Sequence, residues 1–503
     1  MFRGGGYSLM RVLAVDIGSS SVRAALVDRD GVIAPGSLSQ LAVELAVEPG
    51  GRSTITLERI RALTEQAIDR TLASPPARDG IAAVGVSAFW HSLLVLDAAG
   101  RPLTDVLTWA DTRSAADAAD LATRLDAESV RQRTGCPLHP SYLPAKIRWL
   151  RRNQPDLFSR ATRFVSLPQA LTAAWLGADA TSSSLASGSG LYDRQAGSWD
   201  RELLDLLEIA PERLGAILPE PELLPPVAGD YADRWPALRG IHWRAPIGDG
   251  AAANVGAGCV RADRLTLTVG TSGAMRRCQP GEPVEPTPDG LWRYLLDRRH
   301  TVTGGALSEG GNIRAWLSDT LRLPSAEDCE IALRKRRPGE HGLTVLPFWS
   351  GERSPGWAGD ATATIAGMQL HTTAEDILHA CLEAIAYRFA AVYDALSVGG
   401  EQIVATGGAL LASPAWQQIM ADVLGVPLLV SSIGESSLRG AALLAWRDVL
   451  DEQDALTTLD PGGTVVRPRP EAHQQYRELR ERQARLYSRE MGSPAHGTRV
   501  AMK

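Results

Sequence analysis

An apolar run, Leu13 to Val15, ends in Asp16-Ile17-Gly18. Ser19, Ser20 and Ser21 follow, and a second alternating run goes from Val22 to Val27. The pattern predicts a β-hairpin with glycine and hydroxyl residues at its tip. Such a tip offers backbone N–H groups and hydroxyls to a phosphate, and a carboxylate at the strand end, Asp16, can hold a magnesium ion. The same residues also fit a plain hairpin with a polar turn. Far along the chain a second carboxylate, Asp249, stands between Gly248 and Gly250, ahead of a small-residue helix expected from Ala251. Glycines on both sides allow close approach of a substrate to the backbone. A carboxylate there can take a proton from a hydroxyl nucleophile, while the helix N-terminus favours a transferring anionic group. It can equally cap that helix. The segment Leu265 to Gly270, LTLTVG, followed by Thr271-Ser272-Gly273, is a weak echo of the first hairpin. Two such hairpins facing one cleft would grip a phosphate chain from both sides.

Composition narrows the classes. With 503 residues the chain is too long for one core, so two domains are expected. A net charge of −6 argues against nucleic acid or an anionic membrane as the main partner. There is no apolar run of membrane-spanning length, and MFRGGGYSLM lacks the core of a signal peptide. Cys136, Cys259, Cys278, Cys329 and Cys381 are scattered and odd in number, so neither a zinc site nor a disulfide framework is expected, and a cytoplasmic location follows. Lysine occurs only at 146, 335 and 503. No Gly-Lys pair exists, which excludes a Walker A loop, and no strand lysine of the protein-kinase kind is present. Nucleotide phosphates, if bound, meet a lysine-free loop.

Elements that must position these residues can be read from periodicity. Strands are expected at Val12–Val15, Val22–Val27, Ile81–Ser87, His91–Leu96, 265–270 and 403–408. Helices are expected at Leu57–Leu72, Ala115–Leu125, Trp199–Leu207, Ala374–Leu396 and Ser413–Leu424, and through 142–176 with an interruption at Pro168. The proline-rich stretch 218–226 reads as a surface connector. Beyond about Pro470 one charged helix is expected, then disorder past Ser493. The expected domains are 1–245 and 246–450, with a tail from 451 to 503. A hinge is expected near 245–260 and 441–446.

Several segments, in order, resemble the FGGY family of carbohydrate kinases. They are DIGSSSVRAALVD (16–28), FWHSLLVLDAAGRPL (89–103), TWADTRS (108–114), GDGAAANVGAG (248–258), TVGTSG (268–273), GGNIRAWL (310–317) and ATGGALLAS (405–413). Within that family the His-Ser pair, WADTRS and TGCPLHPSYLPAKIRWL (134–150) most resemble gluconokinases, and xylulokinases come next. The resemblance implies an α/β fold of two actin-like, ribonuclease H-like ATPase domains around a central cleft. It implies transfer of the ATP γ-phosphoryl group, with Mg2+, to a sugar hydroxyl. Asp249 becomes the catalytic base, Asp16 the metal-associated carboxylate and Arg23 a basic group directed at the transferred phosphoryl. Ser19, Ser20, Gly270, Thr271, Gly311, Gly407, Gly408 and Ala412 fall on the nucleotide side. Ala315 and Ala412 stand where relatives carry polar side chains, so adenine or ribose contacts from those two positions are not implied.

On the sugar side the resemblance points to Trp90, His91, Asp111 and Arg113 beside Asp249, with Trp109 and Trp349 nearby. A lone histidine is more often a packed residue. Arg113 suits the C1 carboxylate of gluconate but also an ion pair holding its own loop. Lys146 could reach the same carboxylate or sit on a solvated helix face. The favoured activity is phosphorylation of D-gluconate. A ketose or polyol kinase comes second, and an ATP-binding regulator without kinase activity is the reading from another class. A homodimer is only a family-level expectation.

Overall fold

The computed structural model describes residues 10–491 apart from 453–455 and 457–458; the disorder expected past Ser493 lies outside the described residues. The first hairpin forms where its alternation demands. Strand Arg11–Ile17 pairs antiparallel with Ser21–Val27 and parallel with Ile81–Ala88. Both faces of its apolar run are covered, as in strands of a buried sheet. Leu13, Val15 and Ile17 pack with Ile60 and Leu63 of helix Leu57–Leu72, and Val12 and Ala14 pack with Leu438 and Ala442 of helix Ser436–Leu450. The sheet runs Leu223–Leu224, Trp243–Arg244, Ile81–Ala88, Arg11–Ile17, Ser21–Val27, Ser39–Ala42, with Ile247–Gly248 also beside Ile81–Ala88.

The second half repeats this plan. Strand Arg264–Val269 pairs antiparallel with Gly273–Pro280 and parallel with Gln402–Thr406, and His300–Leu307 extends the antiparallel side. The echo between the two hairpin motifs is therefore an echo of topology. Helix Ala374–Leu396 covers this sheet through Phe389, Ala390 and Val392. Strand Thr464–Val466 adds an edge to the second sheet, and helix Pro470–Met491 buries Ala472 and Tyr476 against the same core. The described part of the segment read as a tail is thus built into the second half.

Two helices lock the halves together. Asp249–Gly256 crosses Ser436–Leu450 at glycines on both sides. A Cβ at Gly256 would lie 1.8 Å from the Ser436 carbonyl oxygen, and one at Gly440 would lie 1.9 Å from that of Ala252. Small residues here let the two backbones touch. These are also the segments expected to carry the hinge.

Four sequence expectations are corrected. The stretch 142–176 is three helices, Leu143–Asn153, Pro155–Arg160 and Leu167–Leu176. Pro168 lies in the first turn of the last of these, where its missing N–H is harmless, and the break comes earlier, at strand Arg163–Val165. The 218–226 connector is not superficial: Leu223–Leu224 joins the first sheet, and Glu222 is fully buried, accepting the Ser183 N–H at 2.7 Å. The strand expected from His91 begins only at Leu94, because His91 adopts a left-handed φ of 64°. Helix Arg201–Leu207 starts after its cap Asp200, so Trp199 stays outside it and pairs with Tyr192. No helix among the described residues is long and apolar enough to cross a membrane.

The helix crossing gives a direct test. Gly440→Val must push the two backbones apart, whereas Gly434, with nothing within 4 Å of its would-be Cβ, has room. Gly440→Val is expected to lower unfolding stability by about 1–3 kcal/mol in urea titrations, and Gly434→Ala by much less. Equal midpoints for the two variants would show that the contact does not hold the halves together.

Candidate active site

The sheet register assembles the centre. Asp16 lies opposite Ser87 on the parallel neighbour and opposite Arg23 on the antiparallel one. Ser87 in turn lies beside Ile247, two residues before Asp249. Strand ends thus bring two carboxylates 233 positions apart in sequence to the same end of the sheet. Asp16 is buried; it accepts the Ser87 hydroxyl at 2.5 Å and an Arg23 N–H at 3.1 Å. Arg23 also pairs with Glu435, at the start of helix Ser436–Leu450, at 3.0 Å. Burial raises the Asp16 carboxyl above its ordinary value, against the lowering effect of Ser87 and Arg23.

Asp249 is the first residue of its helix rather than its cap, which is Gly248. Its carboxylate accepts the Gly250 N–H at 2.7 Å and keeps part of its surface open to the cleft. Burial, and next the charge of Asp16, push it up to about 6. A carboxylate there is poised to exchange a proton near neutral pH. Two like charges facing each other also form an oxygen-rich place for a divalent cation. The glycines around Asp249 do not leave the space their spacing suggested. The Trp90 indole fills it, lying 1.8 Å from a would-be Cβ at Gly248 and 2.7 Å from one at Gly250.

The nucleotide-side glycines converge as well. Gly270 turns the second hairpin, its N–H bonding the Ser272 carbonyl at 3.0 Å, and Gly311 N–H bonds the Gly270 carbonyl at 2.7 Å. At Gly407, φ is 91° and a Cβ would come within 2.4 Å of the Val269 oxygen, so only glycine fits. Gly408 opens helix Gly408–Leu411, and Thr271, Ala315 and Ala412 are exposed. Ser19 is half-buried and Ser20 exposed at the tip of the first hairpin. Sequence reasoning missed Glu309, which precedes Gly310 and Gly311. It accepts the Ser350 N–H at 2.5 Å, and burial pushes it up to about 7.

On the acceptor side, Trp90 donates to the Ser184 carbonyl at 3.1 Å. His91 Nδ1 bonds the Gly188 carbonyl at 2.6 Å, so that nitrogen carries the proton and Nε2 is an acceptor. Burial, then the nearby Arg353 charge, hold the His91 ring well below its ordinary pKa and therefore neutral. Tyr142 and Tyr294 pack edge-on against it, at 4.7 and 5.6 Å between ring centres. Lys146 is not on a solvated face. It is fully buried, donates to the His91 carbonyl at 3.1 Å and the Ser141 carbonyl at 2.5 Å, and burial pushes it down to about 7. It braces the left-handed turn of His91.

Asp111 and Arg113 are spent on each other. Arg113 grips Asp111 at 2.6 and 3.0 Å, Asp111 also accepts the Ser53 N–H at 3.2 Å, and the guanidinium stacks on Trp149 at 4.5 Å. Arg113 lines a separate cavity of about 460 Å³ with Arg52, Asp105 and Trp149. Trp349 packs on Trp316 at 5.5 Å, beside the helix that Gly311 opens, and not among the acceptor-side aromatics.

Sequence reasoning passed over two arginines near these residues, Arg276 and Arg353. Arg276 lies against Gly250, where a Cβ would meet its Nε at 2.8 Å. Its charge acts on Asp249, and burial pushes it down to about 10. Arg353 sits over the Trp109 ring at 5.2 Å. Its charge acts on His91, His139, Lys146 and Asp249 together. Neither residue is flanked by a signal in the sequence, because their partners lie in distant elements.

Residues 11–256 match the FGGY family of carbohydrate kinases, N-terminal domain, and residues 265–448 match its C-terminal domain. A gluconokinase of Bacillus subtilis is 27% identical over 93% of this chain and 94% of its own. A glycerol kinase of Trichlorobacter lovleyi is 31% identical over 87% and 91%. The solved gluconate kinase of Lactobacillus acidophilus superposes with a TM-score of 0.85 at 24% identity, covering 96% of this chain and 99% of that one. The ligand-bound xylulose kinase of the same species gives the same TM-score at 23%, over the same shares of the two chains.

Ionising Asp249 in this setting works against folding. A carboxyl raised from 3.8 to about 6 loses on the order of 3 kcal/mol of stability once pH exceeds its folded value, because the unfolded chain ionises more easily. Asp249→Asn is therefore expected to be more stable than the wild type at pH 8. That advantage should shrink as pH falls through about 6 and close near 4. Urea titrations at pH 8, 6 and 4.5 check this, and an advantage independent of pH would refute it.

Proposed function

The chain belongs to the FGGY family of carbohydrate kinases, and on that premise we propose that it phosphorylates an aldonic acid, with D-gluconate as acceptor and ATP as donor. Its fold is the two-domain α/β fold of that family, and its reaction is phosphoryl transfer to an alcohol group. Asp249 accepts the acceptor hydroxyl's proton as the new P–O bond forms. Asp16 is the carboxylate suited to a magnesium ion, since it is a buried oxygen donor facing a second one. Such an ion, when bound, neutralises charge on the nucleotide phosphates. Arg23, the hairpin tips at Ser19, Ser20 and Thr271, and Gly311, Gly407 and Gly408 position those phosphates and the nucleoside. Neutral His91 offers Nε2 to an acceptor hydroxyl, and Trp90 forms the wall beside it. Family membership sets aside the non-catalytic regulator.

The observation that carries the acid is the charge of the pocket. Arg276 and Arg353 face it, and the carboxylate they act on is Asp249, itself held toward its neutral form. Gluconokinases over nearly the full length agree with this reading. A neutral polyol or ketose is the second reading, favoured by the glycerol kinase at 31% identity.

A panel of D-gluconate, D-xylulose, D-ribulose and glycerol with ATP and magnesium tests the choice. D-Gluconate is expected to lead in kcat/KM by at least about 30-fold, since a neutral acceptor leaves two half-buried cations unpaired. Equal or better turnover of xylulose or glycerol would sink the acid while leaving the kinase. Asp249→Asn is expected to lower kcat by about 10²-fold or more with ATP binding kept. A variant retaining a tenth of normal kcat would exclude the proton-acceptor role.

A further inference from the structure

Buried guanidinium groups in this protein are ordinarily matched. Arg244 pairs with Asp448, Arg388 with Glu352 and Arg447 with Asp297. Arg276 and Arg353 break this pattern. The Nε of each is buried without a hydrogen-bond partner, as are those of Arg244 and Arg388, so the absence of an ion pair is what sets the two apart. Among the described residues neither forms an ion pair, and the one side-chain hydrogen bond at Arg276 is a long 3.4 Å contact to the Thr268 hydroxyl. Both residues are half-buried, and a guanidinium with a desolvated, unbonded Nε and no paired carboxylate is one that an anionic ligand can complete.

Both arginines come from the second half of the chain, and both overlook residues of the first half. Arg276 projects from strand Gly273–Pro280 toward Gly250 and the Trp90 ring. Arg353 lies over Trp109 and beside His91 and His139. Of the first-half groups they meet, Asp249 acts on Arg276 by charge but forms no ion pair with it, and the others supply no free anion. His91 and His139 are both pushed toward neutrality, Lys146 is itself basic, and Asp111 is committed to Arg113. The loop bearing Arg353 is also firmly held. Glu352 beside it is clamped by Arg388 and accepts the Tyr487 hydroxyl, from the last helix, at 2.7 Å. Trp357 donates to the Gly290 carbonyl at 2.8 Å. Rigid support of an unpaired donor is what recognition of a fixed anion requires.

We propose that Arg276 and Arg353 form the subsite for the acceptor's carboxylate, so that acid specificity is supplied by the second half across the cleft from the Trp90–His91 wall. This rests on the aldonic acid reading. It replaces Arg113 and Lys146, the carboxylate partners expected from sequence. A neutral acceptor then leaves both guanidinium groups without a carboxylate, whereas an aldonate bridges the two halves through its charged end.

The test compares D-gluconate with D-glucitol, the alcohol of the same carbon skeleton that lacks the carboxylate, using the full chain. Binding constants are measured by calorimetry and kcat/KM wherever turnover occurs. The wild type is expected to favour D-gluconate. Arg276→Gln and Arg353→Gln should each shrink that preference, and the double variant should shrink it by at least about 30-fold. Arg353→Lys should restore part of what Arg353→Gln loses, because it keeps the charge. A double variant that weakens both acceptors in parallel, with the preference kept, would assign these cations to the phosphoryl group or to folding and overturn the proposal. A wild type that prefers D-glucitol or D-xylulose would instead remove the acid reading itself, and the subsite with it.

Discussion

Two carboxylates of like charge, Asp16 and Asp249, are held at one end of a sheet in a setting that penalises their ionisation, and the surrounding structure is organised around that constraint. Burial raises both, and the charge of Asp16 raises Asp249 further. Compensation comes from all sides. Ser87 and Arg23 donate to Asp16, the Gly250 N–H and the first turn of a helix face Asp249, and Arg276 lies across from it. The balance leaves Asp249 near 6, where it can take a proton and release it again. A fully compensated carboxylate would be a poor base, and an uncompensated one would stay protonated.

The same centre ties the halves of the molecule together. Asp249 begins the helix that crosses Ser436–Leu450 through Gly256 and Gly440, and Glu435 at the head of that second helix pairs with Arg23. Catalytic geometry and inter-half packing therefore share residues. Behind the acceptor pocket, Trp90 and Tyr142 from the first half and Trp292 and Tyr294 from the second form one apolar cluster. The first half offers an aromatic, neutral wall; the second half offers guanidinium groups. The last helix takes part in this division through Tyr487, which steadies the loop that carries Arg353.

Local patterns were legible in the chain wherever neighbours in sequence make the structure. Helices Leu57–Leu72 and Ala374–Leu396 fall where apolar periodicity placed them, and both phosphate-type hairpins are strand–turn–strand units. Legibility failed where a distant contact overruled a local preference. His91 lies in an alternating run, yet Lys146 and Gly188 hold it in a left-handed turn. Leu223–Leu224 sits among prolines, yet the sheet edge recruits it. Arg113 suits an anion by residue type, yet Asp111, two residues away, takes its Nε and Nη2.

The chain by itself determined which groups could do chemistry. Aspartates at strand ends and before a small-residue helix, with glycines at the turns, are fixed by residue type and by spacing of a few positions, and these specify the family and its reaction. Only the tertiary structure decided how charges are matched. Whether an arginine is paired or free depends on which carboxylates come within a few ångströms, and those lie anywhere from two to hundreds of positions away. Arg113 and Lys146, prominent in the sequence, are taken up by Asp111 and by backbone carbonyls, while Arg276 and Arg353, unremarked in it, form no ion pair among the described residues. Coulomb interactions follow distance in space, and sequence spacing reports that distance only within a turn of helix or a step of strand.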